Sequence, residues 1–333
     1  MNMTKGIWSS SQILFWLSGL FAAGGQFDSS GSTLIASALM GHHALYYSDQ
    51  FVMSKDSFDT TRKAAWVADS LRKDPVDGIA VTVPHPARLE DAARIHSPAY
   101  LNALRTGNPL ELAESPNIVW DQNALERALS TCGGMIAAGR SALKDGVSGC
   151  LASGFHHARR DRGLGYCTLN GLAIAAHTLA GPDRNHILIL DLDAHCGGGT
   201  HSLIKEHPRL WQIDVSVNEY DRYQPGPRCM LQVVTDARRY LQTVWQCLQH
   251  AQEEWPLFAL CLYNAGMDIH QDCANGGLAG MDEFIITLRE EMVFRWCNER
   301  GIPVAYALAG GYTGGKMTRK RLVGLHRVTV CSA

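Results

Sequence analysis

The sequence has no excess of charge of either sign. Lys and Arg number 30 and Asp and Glu 32 in a chain of 333 residues, so the formal net charge is -2. Domains that bind nucleic acid usually carry a clustered basic surface, and this balanced composition shows no sign of one. We therefore expect no direct contact with nucleic acid.

Paired cysteines are also lacking. None of the ten cysteines stands in a Cys-x-x-Cys pair, which argues against a zinc ribbon and gives no disulfide framework. Cysteines scattered through apolar segments are typical of buried thiols in a reducing compartment. We therefore expect a cytoplasmic protein.

No apolar run is long enough for a comfortable transmembrane span, and we expect no membrane association. The most apolar stretch, residues 13–25, follows a single Lys5 and has the outline of a secretory signal, with a thin positive region and an imperfect cleavage site. We favour the alternative that it is a non-folding extension or lies upstream of a true start near Met40. The predicted division is an extension over residues 1–41 and one domain over residues 42–333.

The remaining chain alternates short apolar runs with segments of helical spacing. The whole sequence is 46% hydrophobic, enough for a sizeable core. Strands are predicted over residues 45–47, 79–83, 149–152, 187–190, 211–217, 258–263 and 304–308. Helices are predicted over residues 60–72, 125–143, 169–179, 236–255, 282–299 and 317–325, with another opening at His96. Such alternation forms βαβ units, so the sequence predicts a three-layer α/β domain with a central, mainly parallel sheet.

The most informative pattern lies in residues 186–200. An apolar run typical of a strand buried on both faces is followed by Asp191, Asp193 and His195 at alternate positions. Two carboxylates and an imidazole at the carboxyl end of a central strand indicate a metal site. A strand that ends in a polar turn is the alternative from this motif alone.

Polar residues follow other predicted strands in the same way. His156 and His157 follow one strand, Asp268 another and Tyr312 a third. Because ligands bind at the carboxyl ends of parallel strands, this placement favours a catalytic site. Asp193, His195 and Asp268 would form a one-nitrogen, two-oxygen zinc site with open positions, the catalytic pattern.

Each of these residues also has an ordinary structural explanation. Asp268 could be a turn residue or helix cap, the two histidines a loop pair bonded to backbone, and Tyr312 a core tyrosine. Beside a metal, however, neighbouring imidazoles suit proton transfer. A phenol that follows two glycines could donate to a developing oxyanion.

The ordered motifs of this chain resemble those of the histone deacetylase family, most closely its class IV branch and bacterial relatives. They are Gly154-Phe-His-His-Ala158, Asp161-Arg-Gly-Leu-Gly-Tyr166-Cys167, Asp191-Leu-Asp-Ala-His195, Tyr263-Asn-Ala-Gly-Met-Asp268 and Gly310-Gly-Tyr312. The resemblance extends from about residue 44 to the last helix. It implies an arginase-like fold with an eight-stranded parallel sheet. It also implies zinc-dependent hydrolysis of an acylated lysine amide in peptides or proteins, or of a small acylated amine.

The resemblance also implies roles for individual residues. Asp193, His195 and Asp268 would hold Zn²⁺, which polarises the acyl carbonyl and activates water. His157 would be the principal general base and acid, and His156, oriented by Asp191, would assist electrostatically. Tyr312 would stabilise the oxyanion. The substrate channel would include Gly165, Tyr166 and Leu278, and K⁺ would be held partly through backbone carbonyls around Asp191, Asp193, His195 and Ser216.

Two positions depart from the family pattern. Gly198 stands where relatives commonly carry a carboxylate, or an amide in class IV, that hydrogen-bonds the second histidine. We expect its absence to lower the pKa of His157 and to displace the pH optimum or weaken activity. Gln271-Asp272-Cys273 replaces the usual x-Gly-Asp near the pocket border, so acyl preference is expected to differ.

Three alternatives stay open at this point. A two-metal ureohydrolase is disfavoured because Gly197 stands where a further carboxylate would be required. A zinc-binding homologue without turnover has Gly198 as its only support. A deacylase of acetylpolyamines would share the chemistry, and the absence of a long acidic insertion is only weakly against it.

Overall fold

A single sheet forms the centre of the fold in this computed structural model, which describes residues 43–52, 59, 62–181 and 186–333. Its eight strands run in the order β2-β1-β3-β8-β7-β4-β5-β6, and every pairing between them is parallel. The strands are β1 His43–Tyr46, β2 Ile79–Thr82, β3 Val147–Cys150, β4 Ile187–Asp191, β5 Leu210–Ser216, β6 Cys229–Val233, β7 Leu260–Gly266 and β8 Val304–Ala309. The prediction of a central parallel sheet is confirmed.

Burial along the strands follows their place in the sheet. The central strands β4, β7 and β8 are buried at every residue, as expected for parallel strands covered on both faces. The edge strand β6 is only partly buried. Its weaker apolar pattern explains why the sequence did not predict it.

The helices pack around this sheet. They are α1 Lys63–Lys73, α2 Leu89–Ala93, α3 Pro98–Thr106, α4 Leu110–Ala113, α5 Ala124–Asp145, α6 Gly171–Leu179, α7 Gly198–Ile204, α8 Ala237–Glu254, α9 Glu283–Glu299 and α10 Arg319–Ser332. Side-chain caps fix several starts: Asp236 accepts from the Arg238 amide before α8, and Asp282 accepts from the Ile285 amide before α9.

The long helix α5 approaches its neighbours closely. A Cβ at Gly133 would lie 2.1 Å from the carbonyl oxygen of His85, and one at Gly139 would lie 2.4 Å from Cδ1 of Leu179 on α6. Larger residues at these two positions would push the helix away. The Ala- and Gly-rich composition of this segment is therefore explained by close packing.

Two further predictions concern the chain as a whole. All ten cysteines are free thiols, and only Cys331 is exposed. Within the described ranges, no helix combines the length and the apolar character needed to cross a membrane. The predicted N-terminal extension, residues 1–41, lies outside the described residues, so the predicted division of the chain stays a prediction.

Candidate metal-dependent active site

Three potential metal ligands meet at the carboxyl ends of two adjacent strands. Asp193 and His195 follow β4, and Asp268 follows β7, the neighbour of β4 in the sheet. One ligand atom from each of the three lies within 4.8 Å of the other two. Nδ1 of His195 is 3.1 Å from Oδ1 of Asp193 and 3.2 Å from Oδ2 of Asp268. The fold thus brings together the residues that the sequence predicted as ligands.

The electrostatics of this cluster fit a divalent cation. Asp268 is 0% exposed, and its buried Oδ2 has no hydrogen bond apart from the 3.2 Å contact with His195 Nδ1. So little compensation for a buried carboxylate costs free energy. Burial raises the pKa of Asp268, and the nearby charge on Asp193 raises it further. A cation between the two carboxylates would remove this repulsion. One nitrogen and two oxygen donors match the ligand chemistry of a catalytic zinc site.

The imidazole pair lies beside this cluster, beyond the end of β3. The rings of His156 and His157 are 3.9 Å apart between centroids. His156 Nδ1 is 2.8 Å from Oδ2 of Asp191, the last residue of β4. Oδ1 of the same carboxylate accepts a 2.8 Å hydrogen bond from Asn264. Asp191 is therefore held in place on both sides.

The two imidazoles have opposite pKa shifts. Burial lowers the pKa of His156, but the charges on Asp191 and Asp193 outweigh burial and raise it to about 10. For His157, burial and the charge on His156 lower the pKa to about 4. At neutral pH one imidazole is thus protonated and the other is neutral. Environments that separate two like groups in this way are typical of acid–base sites.

His157 does have an anionic partner. Its Nδ1 is 2.9 Å from Oδ2 of Asp221, in the loop after β5. The expectation that Gly198 deprives His157 of a carboxylate is therefore wrong, although the expected direction of its pKa shift holds through other causes. Sequence analysis missed Asp221, and the available signal was a carboxylate in the loop that follows a strand of the sheet. The predicted displacement of the pH optimum stays a prediction.

Tyr312 follows β8 through Gly310 and Gly311, whose φ angles of 52° and 88° lie in the left-handed region. A Cβ at Gly310 would lie 2.2 Å from Oδ1 of Asp268, so the backbone before Tyr312 runs directly against a predicted metal ligand. Burial, followed by the charges on Asp268 and Asp193, raises the pKa of Tyr312 well above its ordinary value. Its hydroxyl is therefore protonated and able to donate a hydrogen bond.

A buried lysine that the sequence did not indicate holds the segment before Tyr312. Lys63, at the start of α1, is 1% exposed and donates a hydrogen bond from Nζ to the carbonyl oxygen of Gly310. The Tyr312 amide donates to Sγ of Cys273 at 3.3 Å. These contacts fix the backbone that carries the phenol.

A cavity of about 470 Å³ opens above this cluster. Its lining comprises Asn117, His157, Gly165, Tyr166, His195, Tyr220, Ala274, Asn275, Gly276 and Tyr312. The Tyr220 ring stands edge-on to His157 at 5.0 Å and to His195 at 5.6 Å. Gly165 and Tyr166 thus lie at the predicted channel. Leu278 is not among the residues that line the cavity, whereas Asn275 and Gly276 are.

Two other predicted features have different surroundings. Asp272 forms an ion pair with Arg321 of α10 and is absent from the lining of the cavity. The expected difference in acyl preference stays a prediction. The Ser216 hydroxyl donates to Oδ1 of Asp214 at 2.6 Å, and potassium binding around it stays a prediction.

A buried arginine on α9 joins the two loops that carry the predicted ligands. Arg289 donates from Nη1 to the carbonyl oxygen of Leu192 at 3.1 Å and to that of Gly266 at 2.7 Å. It is paired with Glu290, and both side chains are 0% exposed. Leu192 precedes Asp193, and Gly266 stands two residues before Asp268, so one guanidinium fixes both loops.

Comparison with known proteins gives the chain a family. Residues 57–325 match the histone deacetylase domain family. An uncharacterized protein of Picosynechococcus is 32% identical over 223 residues, 66% of this chain and 74% of the relative. Histone deacetylase 2 of Arabidopsis thaliana is 29% identical over 247 residues, 70% of this chain and 63% of the relative. A probable deacetylase of Archaeoglobus fulgidus is 30% identical over 174 residues, 49% and 46% of the two chains.

Solved structures share the fold at low identity. The crystal structure of the HDA15 HD domain has a TM-score of 0.71 and 15% identity, covering 87% of this chain and 88% of that one. An acetylpolyamine aminohydrolase from Burkholderia pseudomallei has a TM-score of 0.71 and 16% identity, covering 87% and 98%. These similarities confirm the predicted arginase-like fold, with its eight-stranded parallel sheet and flanking helices.

Proposed function

The chain belongs to the histone deacetylase family, and on that premise we propose that it is a zinc-dependent amidohydrolase. We propose that it removes acyl groups, acetyl or longer, from the side-chain amine of lysine in peptides or proteins. The observation that carries this proposal is the arrangement of Asp193, His195 and Asp268 within 4.8 Å of one another at the base of a cavity. His157 and Tyr312 line the same cavity.

The residues divide the chemistry as follows. Asp193, His195 and Asp268 would hold Zn²⁺, which when bound supplies Lewis-acid polarisation of the acyl carbonyl. Neutral His157, with Nδ1 bonded to Asp221, presents Nε2 as the base that accepts a proton from water. It later returns that proton to the leaving amine. His156, with Nδ1 bonded to Asp191, would assist electrostatically next to the reacting centre.

Tyr312 would stabilise the oxyanion. Its hydroxyl stays protonated and would donate to the oxygen that becomes negative as the acyl carbon turns tetrahedral. The contacts of Lys63 and Cys273 with the backbone beside it keep that donor in place before substrate arrives. Such preorganisation is the usual source of transition-state stabilisation by a hydrogen-bond donor.

The charge around the cavity favours lysine peptides over polyamines. No carboxylate occurs among the described residues that line the cavity, so a polycationic substrate would find no anionic partner there. Asn117 and Asn275 offer amide groups that could bind a peptide backbone.

We further infer bound K⁺ near Asp191 and Ser216 and a cytoplasmic location. Resemblance to the family supports the first, and the ten free thiols support the second, because exported proteins tend to pair their cysteines.

The test is a panel of fluorogenic lysine peptides carrying acetyl, lactyl and long acyl groups, with acetylated polyamines assayed in parallel. Activity should be confined to the lysine peptides, vanish with a strong chelator and return with Zn²⁺. Turnover of the polyamines alone would move the substrate to that class. Two manganese ions per chain would instead indicate a ureohydrolase, and zinc binding without any turnover would indicate a non-catalytic homologue.

A further inference from the structure

We propose that Asp221 is the positioning residue of His157, and that Gly198 is glycine because the Asp221 backbone and carboxyl group occupy the space of a side chain there. This inference rests on the proposed function, since it assigns the group that orients the general base. In this chain the carboxylate that contacts the second histidine would come from Asp221, in the loop between β5 and β6. In relatives it commonly comes from the position of Gly198, at the start of the helix after the predicted zinc ligand His195.

The contacts of Asp221 are those of a fixed carboxylate. Oδ2 accepts from His157 Nδ1 at 2.9 Å and from the Gly199 amide at 3.1 Å, while Oδ1 accepts from the Arg159 guanidinium. Its side chain is 2% exposed, and that of His157 is 5% exposed. A buried carboxylate with charged and neutral donors on both oxygens has one well-defined orientation.

The loop holds Asp221 in an unusual backbone conformation. Its φ is 58°, in the left-handed region, where a non-glycine residue is strained unless its surroundings compensate. The Cys196 amide donates to the carbonyl oxygen of Tyr220 at 3.0 Å, and Asn218 Oδ1 accepts from the Tyr220 amide at 3.0 Å. The loop is thus fastened to the segment that follows His195.

The two glycines at the start of α7 make room for this arrangement. A Cβ at Gly198 would lie 2.3 Å from the Asp221 carbonyl oxygen and 2.7 Å from its Oδ1. A Cβ at Gly199 would lie 2.3 Å from the carbonyl carbon of His157. A side chain at position 198 and Asp221 in its present place are therefore mutually exclusive. The chain carries a carboxylate at only one of these two positions.

The chemical consequence concerns the tautomer of His157. A carboxylate accepts hydrogen bonds and has no proton to donate when ionised, so Nδ1 must carry the hydrogen. Nε2 is then left with its lone pair. When His157 takes a proton from water, the adjacent Asp221 charge stabilises the imidazolium that forms.

The test uses the zinc-loaded 333-residue chain and three substitutions. Asp221→Asn should lower kcat by about 10- to 100-fold, with KM changed by no more than about twofold. Arg159→Met removes the contact at Oδ1 and a longer, 3.4 Å contact with the Gly198 carbonyl oxygen. It leaves the bond between Asp221 and His157 in place, so it should cause a smaller loss. Glu219→Gln removes a neighbouring carboxylate that is 67% exposed and paired with Arg222, so it should leave kcat unchanged.

A spectroscopic measurement distinguishes two roles of Asp221: orienting the His157 ring and merely supporting the loop between β5 and β6. In protein labelled with ¹⁵N-histidine, wild type should show a downfield proton bound to Nδ1 of His157, assigned with His157→Ala. In Asp221→Asn the signal should move upfield, because a neutral amide oxygen is a weaker acceptor than a carboxylate, while zinc content stays the same. Wild-type kcat in Asp221→Asn, or a wild-type His157 with its proton on Nε2, would overturn the proposal. If wild type hydrolyses no acyl-lysine peptide, the proposed function fails, and the spectrum still decides the pairing.

Discussion

Replacing Arg289 with methionine should lower both the free energy of unfolding and the affinity for zinc, and the two effects can be measured separately. Removing the guanidinium leaves the fully buried Glu290 without its ionic partner, which typically costs about 3–5 kcal/mol. It also takes the shared donor from the carbonyls of Leu192 and Gly266. Because Leu192 follows β4 and Gly266 ends β7, just before the predicted ligands, zinc affinity should fall by about 10- to 100-fold.

A double variant distinguishes the two effects. Arg289→Met with Glu290→Gln buries no charge, and the glutamine oxygen can still accept from the Tyr263 hydroxyl, which bonds Glu290 at 2.9 Å. Part of the lost stability should return, leaving about 1–3 kcal/mol for each of the two unsatisfied carbonyls. Zinc affinity should stay low, because neither new side chain bridges the loops.

The assay is urea unfolding of the metal-free proteins, followed by competition for Zn²⁺ with a chromogenic chelator. Metal-free protein is used because bound metal adds its own stabilisation. Arg321→Met is the matched control: that arginine is partly exposed and pairs with Asp272 and Glu283. Its loss should change stability little and leave zinc affinity unchanged. Wild-type zinc affinity in both Arg289 variants would refute the anchoring role.

The remaining predictions address the reacting groups. Tyr312→Phe should lower kcat by about 10²- to 10³-fold with unchanged zinc content in metal analysis, and undiminished turnover would contradict its role. Asp268→Ala should yield protein without stoichiometric zinc, and retained metal would remove it from the ligand set. Gly198→Ala should displace Asp221 and lower kcat, whereas Gly226→Ala, which has no neighbouring atom within 4 Å of its new Cβ, should behave as wild type. Equal activity of the two alanine variants would show that space at Gly198 is not required.

The parts of the fold that could be predicted from the sequence are those whose pattern lies within one short segment. The apolar run of β4 and the polar residues at its end lie within one short segment, so their pattern reports both the strand and the ligands. The strand β6 and the helix α7 escaped prediction for local reasons as well. The first is an edge strand with partly exposed side chains, and the second begins on glycines, which have low helix propensity.

The parts that escaped are contacts between distant residues. Asp221 is 64 residues from His157, Arg289 is 97 residues from Leu192, and Lys63 is 247 residues from Gly310. No periodicity or spacing in one sequence reports such pairs, because they exist only once the parallel strands bring their carboxyl ends together. Each escaped residue holds a backbone or ring that the motifs already contained. Motif reasoning thus finds the groups that react more readily than those that support them.

Gly198 shows how this asymmetry alters a functional inference. In the motif alone, Gly198 stands where relatives commonly carry a carboxylate. That difference was the only support for a zinc-binding homologue without turnover. In the fold, a side chain there would overlap Asp221, which supplies a carboxylate to the same ring nitrogen. The glycine is then a requirement of the relocated partner, and the argument for lost catalysis from this position no longer stands. Only the absence of turnover in the presence of bound zinc would restore that alternative.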